Sequence, residues 1–224
     1  MLDFSWSAPK GLPLRALFLG AHSDDIEIGC GATVRQWLTA GVRVDATWVV
    51  LSAEGNRAEE ARRSADDFLK GAAASRVVIG GFRDGFLPYV GAAVKDFFET
   101  LKAHPTPDVV FTHQRNDLHQ DHRLVCELTY NTFRDQQVLE YEIPKWDGDM
   151  GAPNAFICVG ESAAQQKVDL VMRHFGTQRG KDWFDRETFL GLLRLRGMEC
   201  RAPERHAEAF YIHKAVIGIP STSR

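Results

Sequence analysis

The sequence predicts a Rossmann-like three-layer α/β sandwich with a mostly parallel sheet. Three observations carry this. Short β-rich runs alternate with segments of helical periodicity, several runs are continuously apolar as in strands buried on both faces, and polar clusters directly follow two of them. With 224 residues, 44% hydrophobic and 25% charged, the composition is that of a soluble globular chain able to bury a sizeable core, read as one domain over 1–224. Lysine plus arginine (27) against aspartate plus glutamate (30) leaves −3, too little cationic field to suggest nucleic acid or anionic lipid as partner.

Ala16–Gly20 is the first strand and leads into the polar loop His22-Ser-Asp-Asp25. After Gly29-Cys-Gly31, Val34, Trp37 and Leu38 repeat at helical spacing, with Gly41 as the C-terminal cap. Val42–Leu51 is the second strand, and Ala58, Ala61, Ala65, Phe68 and Leu69 mark a helix over Arg57–Lys70. Val77–Ile79 is a short strand; Val94, Phe97, Phe98 and Leu101 then give a helix that ends before Pro105. Val109–Thr112 enters the histidine-rich loop His113–His122, and Leu124, Val125 and Leu128 resume helical spacing. Strands at Val138–Tyr141, Ala155–Val159 and Phe210–Ile217, with helices at Gln165–Phe175 and Arg186–Arg196, complete the pattern. Pro144–Pro153 reads as a long, turn-rich surface loop able to carry function.

The stretch Met1–Pro13 has no apolar run fit for a signal peptide or membrane span, so a cytoplasmic location without a membrane span is the expectation. Cys30, Cys126, Cys158 and Cys200 are widely spaced with no CxxC pair, which points to reduced, mostly packed thiols.

Chemistry concentrates in His22-Ser-Asp-Asp25 and in His113-Gln-Arg-Asn-Asp-Leu-His-Gln-Asp-His122. Loops at the carboxyl ends of parallel strands share one edge of the sheet, so two clusters distant in sequence can meet there. Imidazole and carboxylate are nitrogen and oxygen ligands for zinc, and a catalytic zinc takes three protein ligands while keeping one position open. Two histidines and one carboxylate suffice, leaving Asp24, Asp121 and His119 for proton transfer or oxyanion stabilisation. A lone surface histidine or a capped turn would be the blander explanation of either cluster; two such clusters, each at a strand end, favour a site. Gly29-x-Gly31 lacks the third glycine of a dinucleotide fingerprint, since Val34 stands there, and neither a Walker A nor a GxSxG pattern occurs.

Ala21-His-Ser-Asp-Asp-Ile-Glu-Ile-Gly-Cys-Gly31 resembles the AHPDD-x-E-x-G-x-G signature of the PIG-L/LmbE-like N-acetylglucosaminyl deacetylases, and His119-Gln-Asp-His122 resembles their second motif, H-P-D-H. Weaker likeness continues at Arg57 with Ala-Glu-Glu-Ala, at Phe82–Pro88 and at Glu208-Ala-Phe210. The resemblance implies an LmbE-like domain in which His22, Asp25 and His122 bind zinc. Asp24 is then the general base, His119 polarises the amide or stabilises the oxyanion, and Asp121 orients an imidazole. Arg57 falls where an anionic part of the substrate would bind, and Asp84 where sugar hydroxyls would. Ser23 and Gln120 replace the two motif prolines, which are turn-stiffening residues rather than substrate contacts. Glu27 is a candidate to hydrogen-bond a ligand from behind or to cap the following helix, and Trp146 and Trp183 are candidate sugar platforms.

The expected activity is a zinc-dependent hydrolase removing the N-acetyl group of an N-acetylglucosamine-type conjugate, with an N-acetylated amino sugar as its small-molecule partner. Another divalent metal is chemically acceptable to the same ligands. A metal-dependent hydrolase of another bond, such as a phosphoester, is the alternative, and a non-catalytic metal-binding protein would instead show a closed four-ligand site. The attached group and the oligomeric state, a homo-oligomer included, stay open.

Overall fold

The computed structural model describes residues 11–216. Its strands are β1 (Leu14–Gly20), β2 (Val44–Val50), β3 (Ala74–Ile79), β4 (Val109–His113), β5 (Gln137–Tyr141), β6 (Ala155–Val159) and β7 (His206–Tyr211). The helices are α1 (Asp25–Thr39), α2 (Asn56–Phe68), α3 (Gly91–Leu101), α4 (Gln120–Thr132), α5 (Glu161–His174) and α6 (Arg186–Glu199). The described strands form one sheet in the order β3-β2-β1-β4-β5-β7-β6. The first five of these are mutually parallel, and β7 runs antiparallel to both neighbours.

Alternation along the strands explains the layering. Ala16 and Phe18 face a core that includes Trp48, Phe68, Phe111, Val168, Phe175 and Phe189, whereas Leu17 and Leu19 face Val49, Val94, Phe98, Val110 and Val125. Helices α1, α2, α5 and α6 therefore cover one face, and α3 and α4 the other. Each fully buried large side chain contributes about 1.5–3 kcal/mol, so two such cores hold the sheet between its helices. The order of strands reverses direction between β1 and β4, and their carboxyl ends lie side by side there.

Two sequence expectations are corrected. Helix α1 begins at Asp25 rather than after Gly31, and it runs through Gly29–Gly31 with a kink at Cys30 (φ −143°). Those glycines serve close packing: a Cβ on Gly29 would lie 2.2 Å from the Tyr141 ring, and one on Gly31 would lie 2.6 Å from Phe68. The backbone donors freed by the kink go to Glu208, which accepts from Ala32 N at 3.0 Å and Thr33 N at 2.7 Å. Buried Lys167 completes the knot, donating to Ile28 O and Glu208 Oε1, each at 2.5 Å. The last strand is His206–Tyr211, not Phe210–Ile217. Its register against β6 runs from Ala155↔Phe210 to Val159↔His206, and past Tyr211 the backbone N–H of Ile212 turns to the Asn154 side chain. Residue 217 lies outside the described residues.

All four cysteines are free; Cys30 and Cys126 are buried, while Cys158 is exposed with its sulfur 3.9 Å from that of Cys200. Among the described residues no helix is long and apolar enough to cross a membrane.

Candidate metal centre

Strand β1 ends at Gly20, and the next residues turn sharply because their backbone donors find side-chain acceptors. His22 N donates to Asp25 Oδ2 at 2.6 Å, and Ala21 N donates to His113 Nε2 at 3.0 Å. Asp24 and Asp25 thereby sit at the start of α1, where helix N-termini favour carboxylates. The loop after β4 delivers its histidines the same way. His119 is the N-cap of α4, its Nδ1 accepting from Asp121 N at 3.3 Å, and His122 follows in the first helical turn.

These two turns bring His22, Asp25 and His122 together. His22 Nδ1 lies 3.1 Å from His122 Nε2 and 3.2 Å from Asp25 Oδ2, and His122 Nε2 lies 3.5 Å from Asp25 Oδ2. Donors about 2.0–2.1 Å from a tetrahedral zinc are roughly 3.3 Å apart, so this triangle has the size a divalent ion requires. Two further groupings could also hold an ion, Asp25–His113–His122 and His22–Asp84–Asp121, and His119 joins His22 and His122 in a third. His113 is less available than His22, because its Nε2 already takes the Ala21 N–H. The Asp84–Asp121 grouping uses the Nε2 of His22, whose Nδ1 faces the main triangle. One neutral imidazole offers a single lone pair, so the geometry favours one ion rather than two.

Outer contacts fix both imidazoles. Behind His22, Nε2 meets Asp121 Oδ2 at 3.2 Å and Asp84 Oδ1 at 3.1 Å. Asp121 is itself held by the backbone N–H groups of Gly85 (2.8 Å) and Leu87 (3.2 Å). Behind His122, Nδ1 meets Asp117 Oδ2 at 2.9 Å. Carboxylate–imidazole pairs of this kind set the tautomer and leave the other nitrogen's lone pair for a cation. The electrostatics agree. Burial alone would lower the His22 pKa, yet Asp25, Asp121 and Asp84 raise it well above the ordinary value, marking a place where positive charge is welcome. Burial and neighbouring His113 push the His122 pKa down to about 3, which keeps it a neutral ligand.

Two groups at the mouth stay unspent. Asp24 is buried with no side-chain hydrogen bond among the described residues, and burial together with Asp25 pushes its pKa up to about 6. His119 packs edge-on to His22 at 4.7 Å, and its pKa is lowered, chiefly by burial.

Other sequence candidates fall into different places. Asp84 supports His22 and is ion-paired with Arg57, whose Nε also reaches Ser23 Oγ at 3.4 Å. The serine and glutamine standing for motif prolines thus make loop contacts, Gln120 Nε2 donating to Gly85 O at 2.6 Å. Glu27 neither caps the helix nor joins the triangle; it is wholly buried with Ser64 near its carboxylate, and burial raises its pKa well above normal. Trp146 is 68% exposed and contacts Trp183 edge-on at 6.2 Å. His113 and Asp117, both within the histidine-rich sequence cluster, are fully buried at the centre. Lys145, in the predicted surface loop, went unnoticed; its side chain is only 7% exposed and reaches Asp117 Oδ1 at 3.1 Å. Only its place between two prolines and a Trp-Asp-Gly-Asp turn could have drawn attention to it.

An uncharacterised deacetylase of Escherichia coli K12, YaiS, is 28% identical over 170 residues, spanning 70% of this chain and 89% of that protein. The N,N'-diacetylchitobiose deacetylase of Pyrococcus horikoshii superposes with a TM-score of 0.63 at 20% identity, over 88% of this chain and 83% of its own. GalB of Pseudomonas putida KT2440, a 4-carboxy-2-hydroxymuconate hydratase, gives 0.73 at 16% identity over 93% of this chain and 100% of its own, so the shared architecture does not by itself fix the reaction. The family model for GlcNAc-PI de-N-acetylase, PIG-L, matches residues 17–133, the segment from β1 to the end of α4 that carries every residue of the triangle and both groups at its mouth, and this chain belongs to that family.

Proposed function

We propose that the protein is a metal-dependent N-deacetylase acting on an N-acetylglucosamine-type sugar conjugate, with zinc as the metal. The observation that carries this is the triangle of His22, Asp25 and His122 donors, 3.1–3.5 Å apart, with Asp24 and His119 unspent beside it. His22 Nδ1, His122 Nε2 and Asp25 Oδ2 would hold the ion. When bound, it supplies Lewis acidity toward the amide carbonyl and lowers the pKa of water.

The chain's own residues do the rest. Asp24, with a pKa near 6, accepts the proton of the attacking water at neutral pH and can return it to the departing amine. His119, neutral at that pH, donates through the nitrogen not engaged with Asp121 N and meets the negative charge that develops on the carbonyl oxygen. Asp121 and Asp117 keep the ligand imidazoles in register. Arg57, a quarter exposed at the mouth, supplies positive charge for an anionic substituent of the sugar, and Asp84 beside it can accept a hydroxyl. N,N'-diacetylchitobiose, named in the Pyrococcus enzyme, and the acetylated sugar of the family name support the substrate class.

The test is acetate release from a panel of N-acetylated sugar conjugates by protein reconstituted with zinc, cobalt or manganese. Metal-dependent acetate release from at least one conjugate is expected. Stoichiometric metal uptake without acetate release from any of them, or hydrolysis confined to phosphoesters, overturns the reading.

A further inference from the structure

The β5–β6 connection is fastened to the loop after β4 at three points. Lys145 Nζ lies 3.1 Å from Asp117 Oδ1 and also pairs with Asp149 Oδ2. Asp149 Oδ2 accepts from Leu118 N at 2.7 Å, and Asp149 O accepts from Gln114 Nε2 at 3.1 Å. Beyond it, Arg196 of α6 holds Gly151 O at 3.1 Å and forks onto Glu142 at 2.9 and 2.6 Å, closing the far end.

Lysines are seldom buried unless paired, and this one faces two carboxylates that are themselves buried. Its position decides how Asp117 is used. Asp117 Oδ1 is taken by Lys145 Nζ and by His119 N at 2.7 Å, which leaves Oδ2 for His122 Nδ1. The His122 proton is thereby held on Nδ1, and the Nε2 lone pair is turned toward His22 and Asp25. Without the ammonium, Asp117 and Asp149 would bring two negative charges together with no cation between them, and the carboxylate behind His122 would lose its second anchor.

We infer that Lys145 is a positioning residue for His122, acting through Asp117, so that the seating of residues 145–149 and the binding of a divalent cation at the triangle are one coupled equilibrium. Of the proposed function, this rests only on the metal reading, and neither the sugar nor the amide chemistry enters it. Coupling is reciprocal: if the seated loop favours the cation, the cation must favour the seated loop by the same factor.

The experiment titrates the metal-free full chain with Co2+, following ligand-field absorption, and measures backbone hydrogen exchange over residues 144–150 with and without the ion. Lys145→Met removes the charge at constant length, and its Co2+ dissociation constant should rise about 10–100-fold with an altered absorption band. Lys145→Arg should recover most of that loss. In the unaltered protein Co2+ should slow exchange of the 145–149 amides, and in Lys145→Met it should not. Asp149→Asn gives a milder second variant with the same direction of change, which decides the matter if thermal melting shows Lys145→Met unfolded. A Lys145→Met affinity within twofold of the unaltered protein with an unchanged spectrum, or loop exchange indifferent to Co2+, overturns the inference while leaving the metal reading intact. No Co2+ uptake by the unaltered protein overturns both.

Discussion

At the amino edge of the sheet, Arg15 pairs with Asp108 at 2.9 Å while both side chains stay in water, 41% and 26% exposed, beside an open cavity of about 220 Å³ lined also by Asp45, Arg76 and His104. At the carboxyl edge of the same strands, His22, Asp25, His113, Asp117, Asp121 and His122 are each at most 7% exposed. The two edges carry similar residue types and differ in solvation. An exposed pair is screened and contributes little either way, whereas a buried set of carboxylates and imidazoles costs desolvation and persists only where every member has a partner. Polar density alone therefore does not mark a site. The carboxyl edge is distinguished by a carboxylate oxygen of Asp25 and one ring nitrogen each of His22 and His122 converging on one point, with further carboxylates behind both rings, an arrangement a cation completes.

The comparison breaks first at the triangle. His22→Ala, Asp25→Ala and His122→Ala should each remove most of the bound metal and nearly all activity, because two ligands do not retain what three hold; elemental analysis of purified variants checks it, and full metal content in all three would defeat the ligand assignment. Next comes Asp24→Asn, which keeps size but cannot accept a proton. Metal should stay while kcat falls by about 10²–10⁴. The same carboxylate should set a pH limb: with its charged form required, activity is expected above its pKa and should be lost as pH falls through about 6. A pH–rate profile in which Asp24→Asn keeps the acid limb would place that limb elsewhere.

His119→Ala should also retain metal and lower kcat by about 10²–10³, the usual loss of one oxyanion donor. Smaller still is Arg57→Ala, expected to raise KM for anionic conjugates by about 10–100-fold, the worth of a charge-assisted contact, with kcat less affected. Loss confined to kcat would instead tie Arg57 to the chemistry through Asp84 and His22. On the opposite edge, Arg15→Ala should shift the unfolding free energy by less than about 1 kcal/mol and leave acetate release unchanged. An activity loss there comparable to that of Arg57→Ala would mean that the two edges are not separable.

Much of this was legible in the residues. Apolar runs and helical spacing located every strand and helix, with errors where a local pattern competed with pairing. Helix α1 was begun too late because Gly29 and Gly31 read as a loop, while in the fold they allow Tyr141 and Phe68 to press against the helix. The apolar residues after Tyr211 have β-propensity and read as a continuing strand, whereas the pairing ends at Phe210 against β6 and at Tyr211 against β5. The residues of the triangle are legible as candidates because each motif is contiguous in sequence and follows a strand.

By itself the sequence determined the alternation of elements, the two polar clusters at strand ends, and hence that His22, Asp25 and His122 could share one edge of a sheet. Tertiary structure alone decided that His113 lies inside the centre with its Nε2 already occupied, that Asp84 stands behind His22, and that Lys145 clamps Asp117 from a loop that reads as surface. The physical reason is range. Periodicity and capping act within a few residues and leave their mark on composition, but an ion pair between Lys145 and Asp117 depends on β5 lying beside β4 and on two connections meeting over their ends, which only the packed sheet brings about.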